Sequence, residues 1–362
     1  MALIRINVTS ERASYPVLIG AGLTRHLPAL LTRHGIGRQR LLVSSGPIWR
    51  LQGRKIHGVL PRGVSPLLLP DGERAKTLAT AGRIYDACVE RGLDRSAALV
   101  AFGGGVVGDV TGFAAATYLR GVNVVQVPTT LLAQVDSAIG GKTGVNLPTG
   151  KNLVGAFHPP TMVVCDPEVL RSLSRREFRA GMYEVIKYGI IASPRLFTQL
   201  ERHLDSIFAH DPAILTSVVA ACCRIKAQVV MSDERESGPR RVLNFGHTVG
   251  HALESITHYR RFRHGEAVGY GMLAAARLSL LRGTLTARDE ARILALVRAM
   301  GTMPPVADLR ASDALDVIAR DKKVIAGRLH FVLASGIGKT DIVGDVRSRE
   351  LTHVMRSLGM RD

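Results

Sequence analysis

The feature that most constrains this chain is a set of short, unbroken apolar runs that each stop at small or polar residues. Leu41-Leu42-Val43 runs into Ser44-Ser45-Gly46, and Leu67-Leu68-Leu69 into Pro70-Asp71-Gly72-Glu73. Ala98-Leu99-Val100-Ala101-Phe102 ends at Gly103-Gly104-Gly105, residues 122–127 end at Pro128-Thr129-Thr130, and Met162-Val163-Val164 ends at Cys165-Asp166-Pro167. Strands that are apolar at every position are buried on both faces, the situation of a parallel sheet covered by helices. Polar and glycine residues then gather at the carboxyl ends of the strands, where open α/β sheets bind ligands.

Beyond about residue 165 the apolar spacing turns to three and four, which predicts helices over 175–189, 213–231, 248–255, 267–281 and 287–300. The expected fold class is therefore α/β plus all-α. A Rossmann-like parallel-sheet domain over 1–164 is followed by a mostly helical domain over 165–362. A length of 362 residues suits two domains, and 46% hydrophobic residues supply the cores.

The start of the chain lacks the basic stretch, apolar run and small-residue cleavage site of a secretory signal. No run of about 18 apolar residues announces a membrane span. Cys88, Cys165, Cys222 and Cys223 form no CxxC pair, so reduced thiols in a cytoplasmic protein are expected. The net charge is +18, but the basic residues are dispersed, without the clustered footprint of a nucleic-acid-binding surface. No nucleic-acid or membrane partner is expected.

Only nine of the 48 basic residues are lysine: Lys55, Lys76, Lys142, Lys151, Lys187, Lys226, Lys322, Lys323 and Lys339. Lysine is a compact point charge that suits phosphate, whereas arginine is a rigid fork. A chain that defaults to arginine keeps lysine where that difference matters, which points to an anionic ligand. The plainer alternative for each is a surface charge paired with a neighbouring carboxylate.

Gly103-Gly104-Gly105-Val106-Val107-Gly108-Asp109 follows a strand and precedes an expected helix over 110–119. It fits GxGxxG, where glycines let the backbone approach a pyrophosphate at a helix N-terminus. The acidic residue expected about 20 positions on for a ribose is missing. A dinucleotide turn of a different type and a tight packing turn both remain open. His247 and His251 lie four apart, on one face of a helix. His264-Gly265-Glu266 follows, and Glu184 lies upstream. Two histidines and a carboxylate with an open fourth position would make a catalytic zinc site, though the spacing is not HExxH. Histidines held only by hydrogen bonds are the alternative.

Several segments resemble the 3-dehydroquinate synthase family of sugar phosphate cyclases. They are Gly-Gly-Gly-Val-Val-Gly-Asp-Val (103–110), Tyr-Leu-Arg-Gly-Val (118–122), Gln-Val-Pro-Thr-Thr-Leu-Leu-Ala-Gln-Val-Asp-Ser (126–137), Gly-Gly-Lys-Thr-Gly-Val-Asn (140–146) and Gly-Lys-Asn-Leu-Val-Gly-Ala-Phe-His (150–158). The second half adds Glu-Val-Ile-Lys-Tyr-Gly (184–189), Leu-Asn-Phe-Gly-His-Thr-Val-Gly-His-Ala (243–252), His-Gly-Glu-Ala-Val (264–268) and Asp-Lys-Lys (321–323). Together they cover nearly the whole chain in order.

The resemblance implies an NAD-binding first domain and a metal-binding second one. It implies Glu184, His247 and His264 as ligands of Zn2+ (or Co2+), which moves the third ligand from His251. It assigns to NAD the residues Asp71, Gly72, Glu73, Lys76, Gly105, Val106, Val107, Gly108, Asp109, Thr129, Thr130, Lys142, Lys151, Val169, Leu170, Arg171 and Ser172. Catalytic roles fall on Lys142, Lys187, Lys226, Asn244 and His251. Substrate contacts fall on Arg120, Asp136, Asn152, Arg240, Lys322 and Lys323, with Arg120 reaching a neighbouring subunit of a homodimer. Seven of the nine lysines thus lie in family motifs, in line with the anionic-ligand reading.

The implied reaction converts 3-deoxy-D-arabino-heptulosonate 7-phosphate to 3-dehydroquinate and phosphate, a step of the shikimate pathway of aromatic amino acid and chorismate biosynthesis. Transient oxidation at C5 acidifies the C6 proton, phosphate leaves, the hydride returns, and an intramolecular aldol step closes the ring. A cyclase with another substrate and a metal-dependent polyol dehydrogenase are the alternatives. Three departures from the family pattern stand out. Ser44-Ser45-Gly46-Pro47 lacks an acidic residue or Asn for the adenosine, Ser172-Leu173-Ser174 stands for Thr-Leu-Pro, and Tyr183 replaces a small residue beside Glu184.

Overall fold

The computed structural model describes residues 3–10, 13–56, 58–61, 63–234, 236, 238–319, 324, 325 and 328–362. The chain divides into two compact units. The first is Met1–Ser174 with Ser206–Glu234, and the second is Arg175–Asp205 with Arg235–Asp362.

In chain order the first unit runs β1 (Ile4–Thr9), β2 (Ser14–Ile19), α1 (Leu27–Arg33), β3 (Arg40–Ser45), α2 (Gly46–Gln52), β4 (Leu67–Leu69), α3 (Leu78–Glu90), β5 (Ala98–Gly103), α4 (Gly105–Thr117), β6 (Asn123–Pro128), β7 (Lys142–Leu147), β8 (Gly150–Phe157) and β9 (Met162–Cys165). Seven strands form one sheet in the order β1-β2-β9-β6-β5-β3-β4. Only the β1–β2 pair is antiparallel. The five apolar runs became β3, β4, β5, β6 and β9, and they carry the parallel part of the sheet, the Rossmann-like architecture expected.

Each strand feeds two cores because side chains alternate across a pleated strand. Leu99 and Ala101 of β5 pack with Ile84 and Cys88 of α3 and with Val110 and Phe113 of α4. Val100 and Phe102 pack on the other face with Leu27, Leu30 and Leu31 of α1. Burying one such large apolar side chain stabilises by about 1.5–3 kcal/mol relative to exposure. Thr77 caps α3 by accepting from the Thr80 amide at 3.2 Å.

The pattern places a domain boundary at 164/165 with a mostly helical domain beyond it. The structure carries the first unit on to Ser174 and returns one later helix to it. After α5 (Arg175–Ala192) and α6 (Pro194–Phe208), α7 (Pro212–Ser232) packs against β1, β2 and the π-helical turn Ala133–Ser137. Helix periodicity shows that α7 is apolar on one side but not which sheet that side meets. By length and composition α7 could cross a membrane. Most of its apolar face is instead core: Leu215, Val218, Val219, Cys222 and Val230 are buried. The four cysteines are buried, and none is in a disulfide.

The second unit continues with α8 (His247–Ile256), α9 (His264–Leu281), α10 (Ala287–Ala299), α11 (Ala311–Ala319), a hairpin of Phe331–Gly336 and Lys339–Val343, and α12 (Ser348–Ser357). Helices α8 and α9 approach closely because Gly250 faces the Ala267 carbonyl, which a Cβ would meet at 3.0 Å. Gly246, at φ +79°, makes the left-handed turn into α8, and a Cβ there would meet the Val268 carbonyl at 2.9 Å.

Candidate active site

In the second unit, α5 turns Glu184 and Lys187 inward from adjacent turns. Glu184 is 0% and Lys187 1% exposed, and their charged ends are in ion-pair contact. Neither Glu184 carboxylate oxygen has a hydrogen-bond partner. The turn at Gly246 sets His247 at the first position of α8, with His251 one turn on, and α9 begins at His264. Ligand atoms of His247, His251 and His264 all lie within 4.8 Å of one another. Glu184 Oε1 lies 3.6 Å from Nε2 of both His247 and His264.

Lys187 offsets part of the cost of burying the Glu184 charge, but Oε1, which faces the histidines, is left without a hydrogen bond at a cost of its own. A divalent cation among these nitrogens would remove that cost, and imidazole with carboxylate is a zinc donor set. The residues therefore fit a metal ion. Burial works against a charge on His264, but the Glu254 and Glu184 carboxylates outweigh it and raise its pKa.

Arg240 and Asn244 sit on the 3-10 turn Pro239–Asn244 just before α8, with Arg240 1% exposed. Asn244 does not cap α8, which has no side-chain cap; its Nδ2 donates to Glu236 Oε1 at 2.7 Å. Lys322 and Lys323 lie outside the described residues.

In the first unit, the helix after the glycine turn starts at Gly105, five residues earlier than the expected 110. Gly105, Val106 and Val107 therefore form its first turn, with no side-chain cap, so the turn presents amides to an anion. The glycines also serve packing. A Cβ on Gly104 would meet Thr130 Cγ2 at 3.0 Å, and one on Gly108 would meet Gln126 Oε1 at 2.8 Å. Thr129 ties the strand ends together, its amide donating to the Gly103 carbonyl at 2.9 Å.

Four of the implied residues form one polar network. Lys76 Nζ lies 2.5 Å from both Asp109 Oδ2 and Asn152 Oδ1. Asn146 links Asn152 to Glu73, accepting from the Asn152 amide at 2.9 Å and donating to Glu73 Oε1 at 2.7 Å. Burial pushes the Asp109 carboxyl up while Lys76 pulls it down, leaving it raised. Asp71 and Gly72 are exposed beside this network. Lys142 opens β7 and Lys151 lies in β8.

Lys226 of α7 is buried, with Nζ 2.5 Å from Asp136 Oδ1. Val169, Leu170, Arg171 and Ser172 lie on the turn Pro167–Ser172, where Gln52 Nε2 donates to Ser172 Oγ at 2.5 Å. Arg120 is exposed, and it and Leu119 both have left-handed backbone, at φ +66° and +50°. At the strand end lacking an acidic residue, Ser44 Oγ donates to the Phe102 carbonyl at 2.8 Å, so it serves the sheet.

Residues 66–180 match the family model for the N-terminal part of 3-dehydroquinate synthase, and residues 181–324 match the C-terminal part. The chain belongs to the 3-dehydroquinate synthase family. The 3-dehydroquinate synthase of Geobacter metallireducens is 49% identical, with 96% of each chain covered. That of Nostoc punctiforme is 46% identical over 98% of this chain and 99% of its own. A solved 2-epi-5-epi-valiolone synthase from Streptomyces hygroscopicus subsp. jinggangensis, with NAD+ and Zn2+ bound, superposes with a TM-score of 0.87 at 30% identity, covering 98% of this chain and 99% of its own. A 2-deoxy-scyllo-inosose synthase complexed with carbaglucose-6-phosphate, NAD+ and Co2+ superposes with a TM-score of 0.87 at 27% identity, covering 98% of this chain and all of its own.

Three residues around the dehydroquinate synthase motifs escaped the sequence reasoning: Asn146, Glu236 and Glu254. Asn146 and Glu236 act through side chains that no spacing rule connects to their partners. Glu254 did leave a signal, because it lies seven residues after His247 and three after His251, on the same face of α8.

Proposed function

We propose that this protein is a 3-dehydroquinate synthase, a phosphate-eliminating lyase that turns 3-deoxy-D-arabino-heptulosonate 7-phosphate into 3-dehydroquinate and phosphate. The observation that carries the reading is the buried Glu184 carboxylate, ion-paired with Lys187, whose other oxygen Oε1 has no hydrogen bond and lies 3.6 Å from Nε2 of His247 and of His264. Identity of 46–49% to proteins of that name supports this substrate over those of the valiolone and inosose synthases, at 30% and 27%.

Glu184, His247 and His264 hold the divalent ion, and the first turn of α4 with the Lys76–Asp109 network holds NAD. When bound, NAD takes and returns a hydride, and the metal polarises substrate oxygens as a Lewis acid. Lys187, Lys226 and Arg240 are cations with little access to water, suited to a substrate bearing a carboxylate and a phosphate. Lys226 exchanges its partner Asp136 for a substrate anion. His251 lies at the histidine cluster, and we assign it to a substrate proton rather than to the ion. Asn244, oriented by Glu236, donates to a substrate oxygen. Lys142 and Lys151 border the NAD site.

The protein acts as a cytoplasmic homodimer, without a membrane or nucleic-acid partner. The exposed, strained backbone at Leu119 and Arg120 supports a task for Arg120 outside its own subunit. The test is to incubate the protein with the heptulosonate phosphate, catalytic NAD and Zn2+ and to follow phosphate. Release of many phosphates per NAD is expected. No release, or NADH accumulating one-for-one with product, overturns the reading.

A further inference from the structure

We propose that Glu254 is the positioning residue for the metal ligand His264. This rests on the reading of Glu184, His247 and His264 as the ligand set and adds to it the residue that aims one of them. Glu254 Oε2 lies 3.1 Å from His264 Nδ1, while Glu184 Oε1 faces the opposite nitrogen, Nε2, at 3.6 Å. Two carboxylates thus meet one imidazole from its two ends. An acceptor at Nδ1 holds the proton there and leaves the Nε2 lone pair free to bind a cation. Glu254 is 4% exposed, so this acceptor is a buried, fixed group.

His247 is arranged in the same sense by a backbone group: its Nδ1 faces the Phe245 carbonyl at 3.3 Å, and its Nε2 faces Glu184. The start of α9 is held independently of Glu254. Glu266 accepts from the Arg263 amide at 2.8 Å and takes a bidentate contact from Arg176 at 2.8 and 2.7 Å. Removing the Glu254 carboxylate therefore frees the His264 ring without dissolving the helix start that carries it.

The test is Zn2+ affinity, measured by competition with a chromophoric chelator, together with the visible absorption of the Co2+-loaded protein. Glu254→Ala is expected to weaken Zn2+ binding on the order of 10–100-fold and to shift the Co2+ bands. Glu254→Gln, whose amide oxygen still accepts from Nδ1, is expected to stay much closer to the parent. His264→Ala is the control for the ligand set. If His264→Ala loses the ion while Glu254→Ala keeps parental affinity and spectrum, Glu254 does not position His264. If His264→Ala itself keeps parental affinity, the ligand reading fails. Should Glu254→Ala fail to fold, Glu254→Leu, which keeps the volume, is read by the same two outcomes.

Discussion

The ring of Tyr183 occupies the space that a side chain at position 269 would need: a Cβ on Gly269 would meet Tyr183 Cε1 at 2.8 Å. A bulky residue beside Glu184, the proposed metal ligand, is thereby accommodated by a glycine on α9. Gly269→Ala is expected to cost about 1–3 kcal/mol through overpacking and to weaken metal binding, since α5 and α9 carry Glu184 and His264. Urea unfolding and zinc titration check both; parental values in both would show that the ring moves freely.

The Tyr183 hydroxyl is buried without a well-aligned hydrogen bond, although the Arg179 charge lies close. Burial pushes its pKa up to about 12. Tyr183→Phe removes an unsatisfied group, so its stability is expected to equal or exceed the parent's by up to about 1 kcal/mol. A loss above that size would reveal a hydroxyl contact that matters.

The two histidines of α8 are expected to differ. His264→Ala should abolish stoichiometric zinc binding, as His247→Ala should, while His251→Ala leaves it largely intact and removes turnover. Metal analysis after dialysis decides; equal loss in the His251 and His264 variants would assign His251 to the ion.

Lys76→Met leaves Asp109 and Asn152 without their shared cation. Breaking a largely buried pair from one side is expected to cost about 3 kcal/mol and to weaken NAD binding. Adding Asp109→Asn should restore much of the stability but not the NAD affinity, as read by calorimetric titration and thermal unfolding. No recovery in the double variant would mean that Lys76 acts mainly through Asn152.

Acid stability should depend on Glu350, which takes a bidentate contact from Arg282 at 2.8 Å for both bonds. Arg282, helped by the Arg347 amide, holds the Glu350 carboxyl down at about 2 against an ordinary 4.5. A folded-state pKa below the unfolded one gives stabilisation that is complete above pH 4.5 and lost as pH falls towards 2. Glu350→Gln is therefore expected to be less stable than the parent at pH 7, with the gap closing between pH 4.5 and 2. A gap independent of pH would contradict this.

Local patterns were legible where a residue's neighbours in sequence decide its fate. The runs at 41–43, 67–69, 98–102, 122–127 and 162–164 became β3, β4, β5, β6 and β9 because a strand apolar at every position needs only to be covered on both faces. Helices α5, α7, α8, α9 and α10 followed their three-and-four spacing. The start of α4 was misplaced because glycine disfavours a helix interior, whereas Gly105 lies in an N-terminal turn that favours ligand approach over propensity.

By itself, then, the sequence determined the class of fold, the strand ends where polar and glycine residues gather and the identity of some of the residues that converge. Only the tertiary structure decided how they converge. It drew α7 back onto the first unit's sheet and joined Glu73, Asn146 and Asn152 to Lys76 and Asp109. It also brought Glu184 to His264 across 80 residues of chain and placed Glu254 behind that histidine. Hydrophobic periodicity records which face of an element is buried, but the partner of that face is chosen by packing among elements far apart in the chain.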